Sequence, residues 1–352
     1  MSKKPSRHGS GTVASFFAGI GGFDLGFESA GFETVFQSEI DPYCNTILQH
    51  HWPAVPKNTD IRELNSDDIP TADVWCAGFP CQDVSLARAR PRDGLRGARS
   101  GLFYEFAALL GDARPGVVIL ENVPGLLNSH QGRDFGIVIQ TLVELGYGVA
   151  WRILNSKHFG VPQSRRRVYI VGCHNDPGRA AQILFEPERG AGHLAKSFKP
   201  ESQAVSPFME RATATGRVSR NAREHRDLVE TDKEIFVPHL SFCISATTGR
   251  HTGTDWSRTY VAYRDRVRRL TPAEVEPLQG FPEGWTRPRG IFAADADLDS
   301  KRYHALGNAV SVPVISWLAD RVAATAHVNH LYPHAATTAL DSSPAETSLR
   351  SA

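Results

Sequence analysis

Short β-branched runs and helical patterns alternate through the first half of this chain, and that rhythm leaves few folds open. Thr12-Val13-Ala14-Ser15-Phe16-Phe17 reads as a strand and the stretch from Phe23 to Ala30 as a helix. Thr34 to Ser38 reads as the next strand, then Pro42 to His50 as a helix. Further strands are expected around residues 72–77, 116–120 and 167–172. Such alternation predicts an α/β fold with a doubly wound, mostly parallel sheet. Sheets of this kind bind ligands and do chemistry at the carboxyl edge of their strands. The residues that follow each strand are therefore where function is to be sought.

Residues 1–11 read as a disordered polar leader and 328–352 as a flexible Ala/Thr/Ser-rich tail. Between them the pattern divides the chain into a first domain over 12–172 and a loop-rich insert over 173–268. A return to the first domain follows over 269–327. Thr271 is suited to cap a helix with Pro272 at its first position. A last apolar helix, about 313–327, is expected to cover the exposed face of the sheet.

The net charge is only +1, but its distribution is uneven. Residues 151–270 hold 21 Lys/Arg against 12 Asp/Glu, and the remainder holds 18 against 26. One basic surface on a neutral or acidic body is what phosphate contacts require. Five cysteines (44, 76, 81, 173 and 243) form no C-x-x-C pair. Neither a disulfide framework nor a metal site is expected. No apolar run is long enough to span a bilayer, and the first residues lack a signal-peptide core. A cytoplasmic protein is expected.

The strand ends carry the chemistry-bearing residues. Phe17-Ala18-Gly19-Ile20-Gly21-Gly22-Phe23 joins the first strand to the first helix. Its glycines allow close backbone approach to a ligand at a helix N-terminus. Glu39 ends the second strand, where a carboxylate can accept ribose hydroxyls. Asp60-Ile61 ends the next apolar segment and is a candidate for holding an adenine amino group. Gly78-Phe79-Pro80-Cys81-Gln82-Asp83 follows a buried strand, and Pro80 forces the chain out of the sheet. That places the Cys81 thiol on a loop rather than in a core. Glu121-Asn122-Val123 follows another apolar strand, so apolar walls should raise the Glu121 pKa. In Gln163-Ser164-Arg165-Arg166-Arg167, alternation puts Arg165 and Arg167 on one face and Arg166 on the other.

Taken together, these motifs resemble the DNA cytosine-5 methyltransferases of the bacterial restriction–modification type. Arg269 to Pro272, Gln279 to Pro282 and Tyr303 to Val310 add to the match. The motifs occur in the family's order, over roughly residues 12–172 and 269–320. The resemblance implies the S-adenosylmethionine-dependent methyltransferase fold with a small target-recognition domain over 173–268. It implies that Cys81 attacks C6 of a flipped-out cytosine and that Glu121 protonates or hydrogen-bonds N3. Arg165 is expected to bind the O2 side of the base, with Arg167 supporting it. The cofactor would lie against Phe17, Gly19, Ile20, Gly21, Gly22, Glu39, Ile40, Asp60, Ile61, Pro80, Leu102, Asn308 and Ala309. DNA contacts are expected from Gln82, Ser85, Arg88, Arg96, Arg99, Gln163, Arg250 and Arg258. The glycine- and arginine-rich loop after Cys81 is expected to close over the duplex. The partner implied is double-stranded DNA, bound by a monomer, with a cognate restriction endonuclease acting separately.

Three readings compete with this one, among them an inactive DNA-binding relative, against which stands the presence of every residue the chemistry needs. An RNA cytosine-5 methyltransferase would share the fold, but its Cys-Phe-Thr signature is replaced here by Ser241-Phe242-Cys243-Ile244. A nicotinamide dehydrogenase would share the Gly-rich turn and leave the Pro-Cys, Glu-Asn-Val and triple-arginine motifs unexplained.

Overall fold

The computed structural model describes residues 11–80, 101–186, 228–230, 236–248, 258–263, 267–288, 290 and 297–326. Seven strands form the main sheet: β1 (Thr12–Phe16), β2 (Glu33–Ser38), β3 (Lys57–Asn58), β4 (Val74–Ala77), β5 (Val117–Asn122), β6 (Tyr147–Asn155) and β7 (Arg166–His174). Their order is β3-β2-β1-β4-β5-β7-β6. The pairs β2–β3, β1–β2, β1–β4 and β4–β5 are parallel, whereas β7 runs antiparallel to both neighbours. The strand order reverses between β1 and β4, so a crevice is expected outside their carboxyl ends. Because β7 is antiparallel, its first residues arrive at that same edge.

The period-two pattern of the strands explains why both faces are covered. Val117 and Ile119 of β5 join one apolar core, while Val118 and Leu120 join the other. The first core is roofed by α1 (Gly22–Ser29), α5 (Pro177–Leu184) and α8 (Val312–Ala326). The second lies under α3 (Leu102–Ala113) and α4 (Arg133–Glu144). Fully buried aromatics such as Phe27 and Phe106 each contribute about 1.5–3 kcal/mol by leaving water. Gly26 lets α8 approach closely: a Cβ there would lie 2.6 Å from Ile315 Cβ.

A third apolar cluster joins α2 (Pro42–His51), α6 (Pro272–Gln279) and α7 (Leu298–Asn308) to Ile244, Val261 and Tyr263. Asp41 caps α2, accepting from Cys44 N at 3.0 Å. Thr271 and Glu274 form a reciprocal box at the start of α6, with Pro272 at the first position. In the segment expected to be a loop-rich insert, short strands pair antiparallel in the order β11-β10-β9-β8. These are Leu228–Glu230 (β8), Phe236–Pro238 (β9), Tyr260–Ala262 (β10) and Val267–Arg269 (β11). Helix α5 lies beyond residue 172, yet Ala180, Ile183 and Leu184 are buried in the first core. The main sheet's packing therefore extends at least to residue 184. No helix among the described residues is long and apolar enough to cross a membrane.

Candidate active site

Four strand ends meet at the carboxyl edge. The turn after β1 is opened by Phe17 and Gly19, both left-handed with φ 53° and 58°. A Cβ on Gly19 would meet nothing within 4 Å, so this backbone faces open space. Gly21 is also left-handed, and there a side chain would strike the Trp52 ring at 2.3 Å. Gly22 begins α1 and packs against Val310, where a Cβ would lie 2.7 Å from Cγ2. The carbonyl of buried Ile20 accepts from Trp285 Nε1 at 2.8 Å.

Glu39 follows β2 and accepts from Gly19 N at 2.7 Å and Asp41 N at 2.8 Å. Burial raises its pKa against the pull of those two amides. Beside it Ile40 is 59% exposed, an apolar face presented to solvent at the sheet edge. Asp60 pairs with Arg62, whose hydrogen bonds hold the carboxyl down at about 2. Ile61 is buried and Leu102 half-buried at the start of α3. Pro80 is exposed. Asn308 ends α7 exposed, followed by buried Ala309. Of these, the Glu39 carboxylate held by Gly19 N, the open backbone at Gly19 and the exposed Ile40 lie together, a set whose chemistry suits a ribose and a flat heterocycle.

On the other side of the switch point, Glu121 is buried at the end of β5. Its Oε1 lies 2.9 Å from Arg167 Nε. Burial raises the Glu121 pKa, opposed by Arg167 and then Arg165. Asn122 donates to Phe79 O at 2.8 Å and accepts from Val123 N at 2.8 Å. This amide ties the Gly78-Phe79-Pro80 loop to the strand that carries Glu121. Cys81, Gln82, Ser85, Arg88, Arg96, Arg99 and Arg250 lie outside the described residues.

Two of the expected contact residues are engaged by the protein itself. Gln163 is fully buried, donates to Leu278 O at 2.8 Å and accepts from Ile244 N at 3.0 Å. In this arrangement its amide fastens the strand-start segment to the 244 and 278 segments. Arg165 is also buried, and its guanidinium donates to the carbonyls of Ile244 (2.9 Å), Gly307 (3.0 Å) and Ala309 (2.7 Å). It is committed to backbone, whereas Arg167 faces Glu121. Arg258 donates to the hydroxyls of Ser245, Thr247 and Thr248, within its own segment.

The chain matches the family described as C-5 cytosine-specific DNA methylase over residues 11–324. The chain belongs to the C-5 cytosine-specific DNA methylase family. Among its relatives, type II methyltransferase M.Bsp6I of Bacillus sp. (strain RFL6) is 32% identical over 326 residues, covering 88% of this chain and 98% of the relative. M.DsaV of Dactylococcopsis salina is 31% identical over 311 residues, covering 87% and 84%. Among solved structures, a Spodoptera frugiperda DNMT2 mutant superposes with a TM-score of 0.61 at 20% identity, covering 88% of this chain and 99% of that one. The last likeness concerns the fold. The chain is thus a DNA (cytosine-5-)-methyltransferase.

In this methylase, several site residues carry no local sequence signal. Trp285 reaches Ile20 from 265 positions away, and Cys243 lies 3.6 Å from Arg165 Nη1 and 3.8 Å from Arg167 Nη1. The carbonyls around Arg165 give a measurable expectation. Each buried acceptor left without a donor costs about 1–3 kcal/mol. Arg165→Ala should therefore shift the urea midpoint down strongly at unchanged m. A variant of near wild-type stability that had lost only turnover would return Arg165 to the chemistry. Among the described residues no group of three or more His, Cys, Asp or Glu is placed to hold a metal ion.

Proposed function

We propose that this methylase transfers the methyl group of S-adenosylmethionine to C5 of a cytosine flipped out of duplex DNA, through a covalent adduct with Cys81. The observation that carries the reading is buried Glu121, paired to Arg167 at 2.9 Å and tied through Asn122 to the loop leading to Cys81. A target atom within a stack is out of reach, so the base must leave the duplex.

The Cys81 thiolate attacks C6 while the Glu121 proton passes to N3, so the electron pair pushed into the ring makes C5 nucleophilic. Arg167, rather than Arg165, offers donors to O2 and stabilises charge developing there. Arg165 acts one step back, holding the Gly307–Ala309 turn and the Ile244 segment in place. When bound, S-adenosylmethionine would supply an electrophilic methyl for C5, the S–CH3 electron pair staying with sulfur in the neutral thioether that leaves. Loss of the C5 proton to a base then expels Cys81 as thiolate and restores the aromatic ring, and the N3 proton returns to Glu121.

Glu39 is assigned to the ribose hydroxyls, with Gly19 and Ile40 against the nucleoside. Asp60 would have to exchange Arg62 for the adenine amino group. Asn308 is assigned to the amino-acid end. The segment from about 187 to 268 is assigned to reading the DNA word, as base contacts specify and phosphate contacts position. The enzyme works as a cytoplasmic monomer, separately from any endonuclease that cuts the same word.

Bisulfite sequencing tests the substrate and the context together. DNA from a host without other cytosine methylation, expressing this chain, should keep unconverted cytosines at one fixed position in one recurring word. Complete conversion, with the protein soluble and abundant, would contradict the assignment.

A further inference from the structure

One buried acid has no part in the mechanism above. Asp24 sits in the first turn of α1, two residues after the glycines of the cofactor turn, and is fully buried. It covers a row of side chains running across the strands at the switch point. Register pairs Lys57 with Gln37, Gln37 with Ser15, and Ser15 with Cys76. Ser15 Oγ donates to Asp24 Oδ1 at 2.8 Å. Asp24 Oδ2 and both amide atoms of fully buried Gln37 have no hydrogen-bond partner. Buried polar groups are rarely left so poorly satisfied, and where they are, a functional reason is to be sought.

We propose that Asp24 is a positioning residue for the methyl donor, its buried carboxylate favouring the sulfonium of S-adenosylmethionine over the neutral thioether of S-adenosylhomocysteine. This rests on the cofactor reading given above. A charge in a low-dielectric interior acts over longer distances than one in water, so it need not touch the ligand to discriminate. It would help the enzyme release product, which differs from the donor by one methyl and one positive charge.

The electrostatics give the idea a pH signature. Burial pushes Asp24 up to about 6, against the Ser15 hydrogen bond and the nearby Gln37 amide and with Glu28 adding to the rise. Lys57 from β3 and Cys76 from β4 are the other titratable groups that feel it. The neutral acid is favoured on folding, so the stability it contributes is present below the ordinary value of 3.8 and lost as pH rises through about 6. The ionised form that favours a sulfonium is thus present at neutral pH at a cost to the free protein.

Calorimetric titration of the full chain with each ligand, between pH 5 and 8, reads this directly. The ratio of the two dissociation constants cancels Glu39, which is assigned to a ribose common to both ligands. In the wild type the preference for S-adenosylmethionine should grow about tenfold across that range, the change expected for one unit of linked pKa shift. In Asp24→Asn the ratio should be flat at its acidic value, while the free protein melts higher at pH 8 than the wild type. A flat ratio in the wild type, which needs no variant, overturns the proposal. So does a pH-dependent ratio that persists in Asp24→Asn. Failure of the wild type to bind either ligand at pH 8 would overturn the cofactor assignment itself.

Discussion

Glu121→Gln is expected to lower kcat by roughly 10²–10⁴, the usual weight of a positioned proton donor. The amide keeps the shape of the side chain but cannot deliver a proton to N3. Without it, electrons entering at C6 have no stabilised place in the ring and C5 stays a poor nucleophile. The change also removes the partner of Arg167, whose guanidinium lies 2.9 Å from the carboxylate. Single-turnover methylation at saturating DNA and cofactor measures the chemical step alone. Cofactor affinity should be unaltered, because Glu121 lies across the switch point from Glu39 and Gly19. A variant that keeps full single-turnover rate would remove Glu121 from the chemistry and leave it a buried ion-pair partner.

Much of this site was legible because strand ends are marked in sequence. The apolar runs before Glu39, Gly78 and Glu121 each announce a strand, and polar residues after such runs fall at the carboxyl edge. Alternation also placed Arg165 and Arg167 together, apart from Arg166, which is exposed. What alternation cannot tell is which of two residues on one face meets a partner. Arg165 is enclosed by carbonyls from residues 244, 307 and 309, and Gln163 by Leu278 and Ile244. Those partners are 79 to 144 positions away, so the residues that decide each role are set by tertiary packing.

The missed elements have similar causes. Strand β6 mixes buried and half-exposed residues with no clean period, since it lies at the sheet edge, covered by α4 and α5. Helix α5 lies just past the last expected strand, where polarity rises and the pattern weakens. Its buried face is only Ala180, Ile183 and Leu184. A face that small is visible only once its roof, α8, is known.

Trapping on DNA that carries 5-fluorocytosine at the target tests the central claim most directly. Fluorine at C5 cannot leave as a proton does, so the bond from Cys81 to C6 should persist after methyl transfer. Wild-type protein with S-adenosylmethionine is expected to give a protein–DNA band that survives denaturing electrophoresis. Cys81→Ala should give none while still binding DNA. A wild-type enzyme that methylates ordinary DNA yet forms no such band, or a Cys81→Ala protein that forms it normally, would contradict covalent catalysis by Cys81.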